Sequence, residues 1–217
     1  MISIRQADLG DLFGGVERIT DGAFLLRGFA AGEAAALFDD VMRVAAEAPF
    51  RNMTTPGGWR MSVAMTNCGE AGWIADRRGY RYESHDPTTG RKWPAMPGPF
   101  SSLAGRAAAE AGWPAFKPDS CLINRYEPGA RLTMHQDRNE RDFAQPIVSL
   151  SFGLPAVFLF GGAERSGRPK RLRLASGDVV VWGGPARLYF HGVDPLADGS
   201  DPVTGRCRIN LTLRKAL

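Results

Sequence analysis

From Cys121 onward the sequence is a series of short β-rich runs, at 121–126, 131–135, 147–152, 157–160, 170–174, 178–182, 187–191 and 206–213. Gly, Pro and Asp or Asn separate them. Short strands at this spacing, bounded by turn formers, predict an antiparallel sandwich or barrel, here a jelly roll. Two helices are predicted upstream. Glu33–Glu47 carries Leu37, Phe38, Val41, Met42 and Ala45 on one face and is ended by Pro49. Phe100–Ala111 has Ser101 or Ser102 near its start and Gly112 at its end. Ala23–Leu26 reads as a short strand, and Trp59–Thr66 as another after the turn Thr55–Gly58. The opening segment to Gly22 shows no clear period. The expected fold is α+β and mainly β, with helices buttressing one side of a jelly-roll core at 121–214.

The 217 residues suit one domain with a sizeable core, and 44% hydrophobic content argues against disorder. No apolar run reaches about 18 residues, and Met1–Gly10 mixes charged and apolar side chains, so neither a membrane span nor a secretory signal is expected. Cys68, Cys121 and Cys207 are odd in number and lack a C-x-x-C spacing. A disulfide framework or zinc knuckle is not expected, and a cytoplasmic location fits better. The net charge of +4 is uneven: residues 1–50 hold four basic and eight acidic groups, which leaves +8 for residues 51–217. A basic later region suits a polyanionic partner or an acidic substrate.

His135 and Asp137 stand two apart in a β-rich run, so their side chains project to one face. H-x-D alone is common in solvent-facing loops. Here, however, only three histidines occur in the chain, and two fall in predicted strands. His191 is the candidate third ligand. Two imidazoles and one carboxylate on one face of a metal leave positions open for substrates, as in non-haem Fe(II) oxygenases. His85, in the turn Ser84–Pro87, is expected to be solvated.

Alternation along Arg206–Arg214 puts Arg208, Asn210, Thr212 and Arg214 on one face and Cys207, Ile209, Leu211 and Leu213 on the other. Two guanidinium forks on one strand face suit the two carboxylates of a dicarboxylic acid. Asn124 and Tyr126 add an amide and a hydroxyl. The alternative is a polar outer strand near the C-terminus. Gly69–Gly98 interleaves aromatics with arginines and shows no simple period, which suits a binding loop or lid over stacked bases, or else a surface loop anchored by its aromatics. The basic connection Gly161–Arg171 could touch phosphates, although a solvated hairpin is preferred. No P-loop, G-x-S-x-G or Ser/His/Asp set occurs.

Several strings together resemble the bacterial AlkB-type nucleic-acid dealkylation dioxygenases over about residues 20–215. They are Thr55–Gly58, Met61–Gly69, Trp93–Pro97, Cys121–Tyr126, His135–Asp137, Gly177–Gly184 and the closing Arg208-x-Asn210-x-x-x-Arg214. The resemblance implies a double-stranded β-helix, cupin-like, in one domain spanning 1–217, with about 51–98 forming a nucleotide-recognition lid. It implies Fe(II) on His135, Asp137 and His191, and 2-oxoglutarate on Asn124, Tyr126, Arg208, Asn210 and Arg214, with O2 as the other co-substrate. Trp73 matches the lid aromatic that stacks on the damaged base opposite His135. Tyr80, Arg81, Tyr82 and Arg165 match positions near substrate and backbone, and Thr55, Met61 and Met65 match the pocket wall.

The implied reaction is hydroxylation of the N-linked methyl of bases such as 1-methyladenine and 3-methylcytosine. Formaldehyde, succinate and CO2 are released. The implied partner is alkylated single-stranded or locally opened double-stranded DNA, with RNA left open, and the expected state is a monomer. One position departs from the pattern: Asn139 stands where bacterial relatives carry aspartate. Both named lesions are cationic, so a neutral amide implies a weaker preference for charged lesions, or altered base choice, unless Glu140 compensates. The rival readings are a 2-oxoglutarate-dependent hydroxylase of a small molecule or protein side chain, and a non-enzymatic nucleic-acid-binding jelly roll.

Overall fold

The computed structural model describes residues 15–217. The expectation that residues 1–10 hold no secretory signal lies outside the described residues. In chain order come β1 (Val16–Thr20), β2 (Ala23–Leu26), α1 (Ala34–Glu47), β3 (Arg51–Thr54), β4 (Arg60–Gly69), β5 (Gly72–Asp76), β6 (Gly79–Glu83) and α2 (Gly98–Glu110). Then follow β7 (Ser120–Tyr126), β8 (Leu132–His135), β9 (Ile147–Gly153), β10 (Ala156–Phe160), β11 (Lys170–Leu174), β12 (Val179–Trp182), β13 (His191–Val193) and β14 (Arg208–Arg214). Within the described residues no helix is long and apolar enough to cross a membrane.

The strands form a jelly roll of two facing sheets. The larger is ordered β1-β2-β12-β9-β14-β7-β4-β3, the smaller β11-β10-β13-β8, and β5 with β6 makes a separate hairpin. Pairing is antiparallel throughout. The large sheet is covered on both faces, so β12 is a continuous apolar run and β9 is buried along its whole length, with Ser149 and Ser151 as its only polar side chains. On one face Leu37, Val41 and Val44 of α1 and Phe100, Leu103 and Ala107 of α2 pack with Val148, Val181, Ile209 and Leu211. The other face meets the small sheet through Ile147, Trp182, Phe158, Phe160 and Val193. At about 25 cal/mol per Å², these two apolar layers supply most of the driving force for the fold.

Several expectations shift. α2 opens at Gly98, with Pro99 in the first turn, where a missing N–H costs nothing. Neither Ser101 nor Ser102 caps it, and the Ser101 hydroxyl donates back to the Gly98 carbonyl. The opening segment contains a strand after all, since β1 pairs with β2. The run 187–191 is not a strand until His191. Tyr189 N–H instead closes a turn onto the Ala186 carbonyl, and Phe190 N–H bonds to the Gly162 carbonyl. Gly69–Gly98 holds the β5–β6 hairpin, with Trp73 directly opposite Tyr82. Gly72 permits its entry, because a Cβ there would meet the Trp93 ring at 2.4 Å.

Strand β14 is no outer strand. It lies between β9 and β7 in the large sheet. Its apolar residues turn towards the helices, and Arg208, Asn210, Thr212 and Arg214 are buried between the sheets. Four polar side chains in a protein interior need partners there. This placement points to the site.

Candidate active site

The antiparallel register of β8 and β13 sets His135 opposite His191, with ring centroids 4.4 Å apart. Gly192 allows the close approach, since a Cβ there would fall 2.7 Å from the Leu132 carbonyl oxygen. Each imidazole is oriented by its own backbone. His135 Nδ1 lies 2.8 Å from the Thr133 carbonyl, and His191 Nδ1 lies 3.0 Å from the Tyr189 carbonyl. A carbonyl only accepts, so each Nδ1 carries the proton and each Nε2 presents a lone pair. Those Nε2 atoms converge on Asp137, at 3.8 Å from Oδ1 (His135) and 3.8 Å from Oδ2 (His191). One ligand atom from each of the three residues lies within 4.8 Å of the others.

The electrostatics keep Asp137 and His191 in their metal-binding protonation states. Burial pushes the Asp137 carboxyl up, but Arg214 and the two histidines outweigh it and hold the group well below the usual carboxylate range. Burial, helped by the neighbouring His135, pushes His191 down to about 4, so its imidazole is neutral near neutral pH. Two imidazoles and a carboxylate, aimed at one point, fit Fe(II).

Beside the triad, a cavity of about 540 Å³ opens between the sheets. Its floor carries the polar face of β14. The Arg208 guanidinium lies 4.8 Å over the Tyr126 ring and donates through Nη2 to the Ser151 hydroxyl at 2.9 Å. Its Nε and Nη1 are buried without a partner, and burial pushes its pKa down. No carboxylate pairs with it among the described residues. A buried guanidinium with two unspent donors fits an anionic ligand, so the donor chemistry suits a carboxylate of 2-oxoglutarate. Arg214 Nη1 is likewise unpartnered. Asn124 donates to Asn210 Oδ1 at 3.2 Å, while Asn210 is spent on Ser149 and the Leu150 carbonyl. Asn210 therefore holds Asn124 in place and has little left for a ligand.

Thr55, Met61 and Met65 from β4 and its preceding turn line the cavity wall, and Trp73, Tyr80, Asn139 and Arg165 lie at its mouth side. Trp73 and Tyr80 stack on each other, 5.5 Å apart at 12°. Asn139 ties them together: the Trp73 indole N–H donates to its Oδ1 at 3.2 Å, and its Nδ2 donates to the Tyr80 carbonyl at 3.4 Å. The amide at this position thus serves the hairpin in both directions, which a carboxylate could not do.

Two expected site residues do not line the cavity. Arg81 alternates to the other face of β6, where it pairs with Asp76 and Glu83. The Tyr82 hydroxyl donates to Glu140 at 2.6 Å and anchors the hairpin from beneath. His85 is exposed, as its turn suggested. Trp182 and Arg187 escape the sequence reading as site residues, and Glu140 enters it only as a compensator for Asn139. Glu140 is buried and also takes Arg187 Nη2 at 3.2 Å, while Arg187 Nη1 holds the Asp137 carbonyl at 2.9 Å. Trp182 sits edge-on to His191 at 4.9 Å, with a buried and unpartnered indole N–H. In the sequence Trp182 sits in an apolar run and looks like core, and Glu140 and Arg187 are 47 residues apart with no shared period.

The profile described as 2OG-Fe(II) oxygenase superfamily matches residues 22–214. The chain is 56% identical over 200 residues to the alpha-ketoglutarate-dependent dioxygenase AlkB of Escherichia coli (strain K12), covering 92% of this chain and 93% of that protein. It is 31% identical over 156 residues to the tRNA demethylase abh1 of Schizosaccharomyces pombe, covering 66% of this chain and 52% of that protein. The solved structure of OsALKBH1 matches with a TM-score of 0.80 at 26% identity, over 92% of this chain and 99% of the other.

Proposed function

The chain belongs to the 2OG-Fe(II) oxygenase superfamily as a bacterial AlkB-type dioxygenase, and on that premise we propose that His135, Asp137 and His191 hold its Fe(II). It is an Fe(II)- and 2-oxoglutarate-dependent dioxygenase that oxidatively demethylates N-alkylated bases of nucleic acids. The observation that carries the residue assignment is one shared cavity. Three convergent ligand atoms stand there beside a buried guanidinium with two unspent N–H donors.

Arg208 pairs one carboxylate of 2-oxoglutarate, helped by Tyr126. Arg214 meets the other through its free Nη1 while keeping Asp137 oriented. Asn124, fixed by Asn210, completes the co-substrate pocket. Bound Fe(II), with 2-oxoglutarate and O2, supplies the oxidising power, and the protein supplies position and a dry, shaped cavity. Trp73 stacks on the damaged base opposite the His135 ring, Tyr80 backs Trp73, and Met61 and Met65 exclude water on the wall side. Arg165 meets the strand's phosphates, and Tyr82 with Glu140 holds the lid hairpin down. Arg81 stiffens that hairpin through Asp76 and Glu83. A base inside a duplex cannot reach such a centre, so it is flipped out or arrives in a single strand.

DNA is the principal substrate and RNA the second, and the chain acts as a single domain and a monomer. About 51–98 acts as the lid, and 121–214 is the catalytic core. A reducing cytoplasm suits its three free thiols, Cys68, Cys121 and Cys207. The test is incubation of a methylated oligonucleotide with protein, Fe(II), 2-oxoglutarate and ascorbate, followed by mass spectrometry. Loss of the methyl mass only in the complete mixture is the expected result. Its persistence there would reject the reading.

A further inference from the structure

We propose that Arg187 and Gln136 are positioning residues that set the place of Asp137 for the metal, an inference that rests on the assignment of His135, Asp137 and His191 above. The strand ladder stops short of that carboxylate. β8 ends at His135 and β13 begins at His191, and these two stand opposite each other. Continued in the same register, the ladder would set Asp137 against Tyr189. Tyr189 N–H instead closes a turn onto the Ala186 carbonyl. A metal ligand beyond the ladder needs another restraint, since a donor set tolerates displacements of only about 0.5 Å.

Two side chains take over where the ladder ends. Gln136 donates through Nε2 to the Leu188 carbonyl at 2.5 Å, and Arg187 donates through Nη1 to the Asp137 carbonyl at 2.9 Å. The bonds are reciprocal: residues 136–137 and 187–188 each give one side chain and each accept at one carbonyl. Among the described residues neither carbonyl takes a backbone N–H. The second stretch leads into His191, whose ring is oriented by the Tyr189 carbonyl. The stitch therefore ties the two metal-ligand segments together as a further rung of the ladder would.

The other side-chain contacts of Arg187 fall on the same segment. Its Nε donates to the Gln145 carbonyl at 3.0 Å, its Nη2 donates to Glu140 at 3.2 Å, and its guanidinium lies 5.3 Å from the Phe143 ring centroid. All of them lie within residues 137–145. Arg187 is buried, and a buried guanidinium is costly unless it is paired and hydrogen-bonded. A planar fork of N–H donors can hold three points of one loop at once, which an ammonium on a flexible stem does less well. Arg214 holds a side-chain oxygen of Asp137, and Arg187 holds its main chain. With both ends fixed, the carboxylate keeps its 3.8 Å spacing to each imidazole Nε2.

The experiment titrates metal-free wild type, Arg187→Met and Gln136→Leu with Co(II). It reads the affinity and the visible d–d absorption, which reports the geometry of the donor set, and circular dichroism checks that each protein is folded. Arg187→Met is expected to bind Co(II) at least about tenfold more weakly, as loss of a group that orients a ligand does, and to show an altered spectrum at saturation. Gln136→Leu gives up one neutral hydrogen bond and is expected to bind about fivefold more weakly. If Arg187→Met does not fold, Gln136→Leu decides alone. Wild-type affinity in either folded variant, or a wild-type spectrum in Arg187→Met, overturns the proposal. Val148→Ala, a core change on the face packed against the helices, separates positioning from lost stability, and an equal loss of affinity there also overturns it. His135→Ala tests the premise. Wild-type Co(II) binding in His135→Ala would reject the triad itself, whereas lost binding there beside wild-type binding in Arg187→Met and Gln136→Leu would reject only their positioning role.

Discussion

Arg214 grips a single oxygen of Asp137, with Nε and Nη2 at 2.9 and 2.6 Å from Oδ2. Both groups are held between the sheets, and Arg214 Nε also lies 3.5 Å from Glu140. The arginine therefore neutralises and aims the carboxylate that faces both histidines. Asp137 lies beyond the end of β8 and is not held by the strand ladder.

Arg214→Ala leaves two buried carboxylates short of a counter-charge. Breaking one side of a buried pair costs about 3–5 kcal/mol. The metal-free variant is expected to unfold at clearly lower urea concentration than wild type, and calorimetry is expected to show no 2-oxoglutarate binding. Unchanged stability would mean that the pair seen here does not hold the site together.

Arg208 carries the opposite expectation. It is a buried charge with no carboxylate partner, so Arg208→Met removes a cost as well as the Ser151 bond and the Tyr126 contact. Stability of the metal-free protein is expected to stay within about 1 kcal/mol of wild type. The apparent affinity for 2-oxoglutarate is expected to fall at least about tenfold, since a charge-assisted pair is lost. Thermal shift with and without 2-oxoglutarate reads both at once. A variant that still gains stability from the co-substrate as wild type does would contradict the pairing.

Asn139→Asp replaces an amide that both accepts from Trp73 and donates to Tyr80. The carboxylate keeps the first bond, loses the second, and places negative charge at the mouth of the cavity. Turnover of cationic lesions relative to neutral ones is expected to rise about fivefold, the equivalent of about 1 kcal/mol. Indistinguishable ratios in wild type and variant would reject a role for this position in lesion choice.

His191 gives the metal-free protein a pH dependence. Its ordinary value of 6.5 drops to about 4 in the fold. Above pH 6.5 the ring is neutral in both states. As pH falls from about 6.5 to about 4 the unfolded chain takes up the proton first, so folded stability declines, by on the order of 3 kcal/mol. Urea unfolding of the metal-free protein at pH 7 and pH 5 is expected to show the loss in wild type and much less in His191→Gln. Equal losses in both would assign the effect elsewhere.

Much of this site can be read from residue spacing alone. A period of two puts Arg208 with Arg214 along β14, and it pairs His135 with Asp137 correctly although Asp137 stands beyond the end of β8 and reaches the site without strand alternation. The jelly roll follows from strands cut at regular intervals by turn formers. What spacing does not carry is closure between distant segments. The buried Glu140–Arg187 contact and the edge-on Trp182 arise only when β12 and the turn before β13 fold against β8 and the chain beyond it. The β5–β6 hairpin was obscured because its aromatics and charges alternate across two faces that both meet protein or rim. Only the register of Trp73 against Tyr82 shows that Arg81 faces away from the cavity. The shift of β13 to His191 has a similar origin, since Phe190 is committed to Gly161 and Gly162 rather than to a strand partner.

The central claim is that three side chains meet on one iron. Its most direct measurement is the iron retained per chain after anaerobic loading with Fe(II) and desalting, for wild type and for His135→Ala, Asp137→Ala and His191→Ala. Wild type is expected to keep close to one iron per chain and each variant only a small fraction, with circular dichroism showing all four folded. A folded variant that keeps its full iron and full turnover would contradict the assignment.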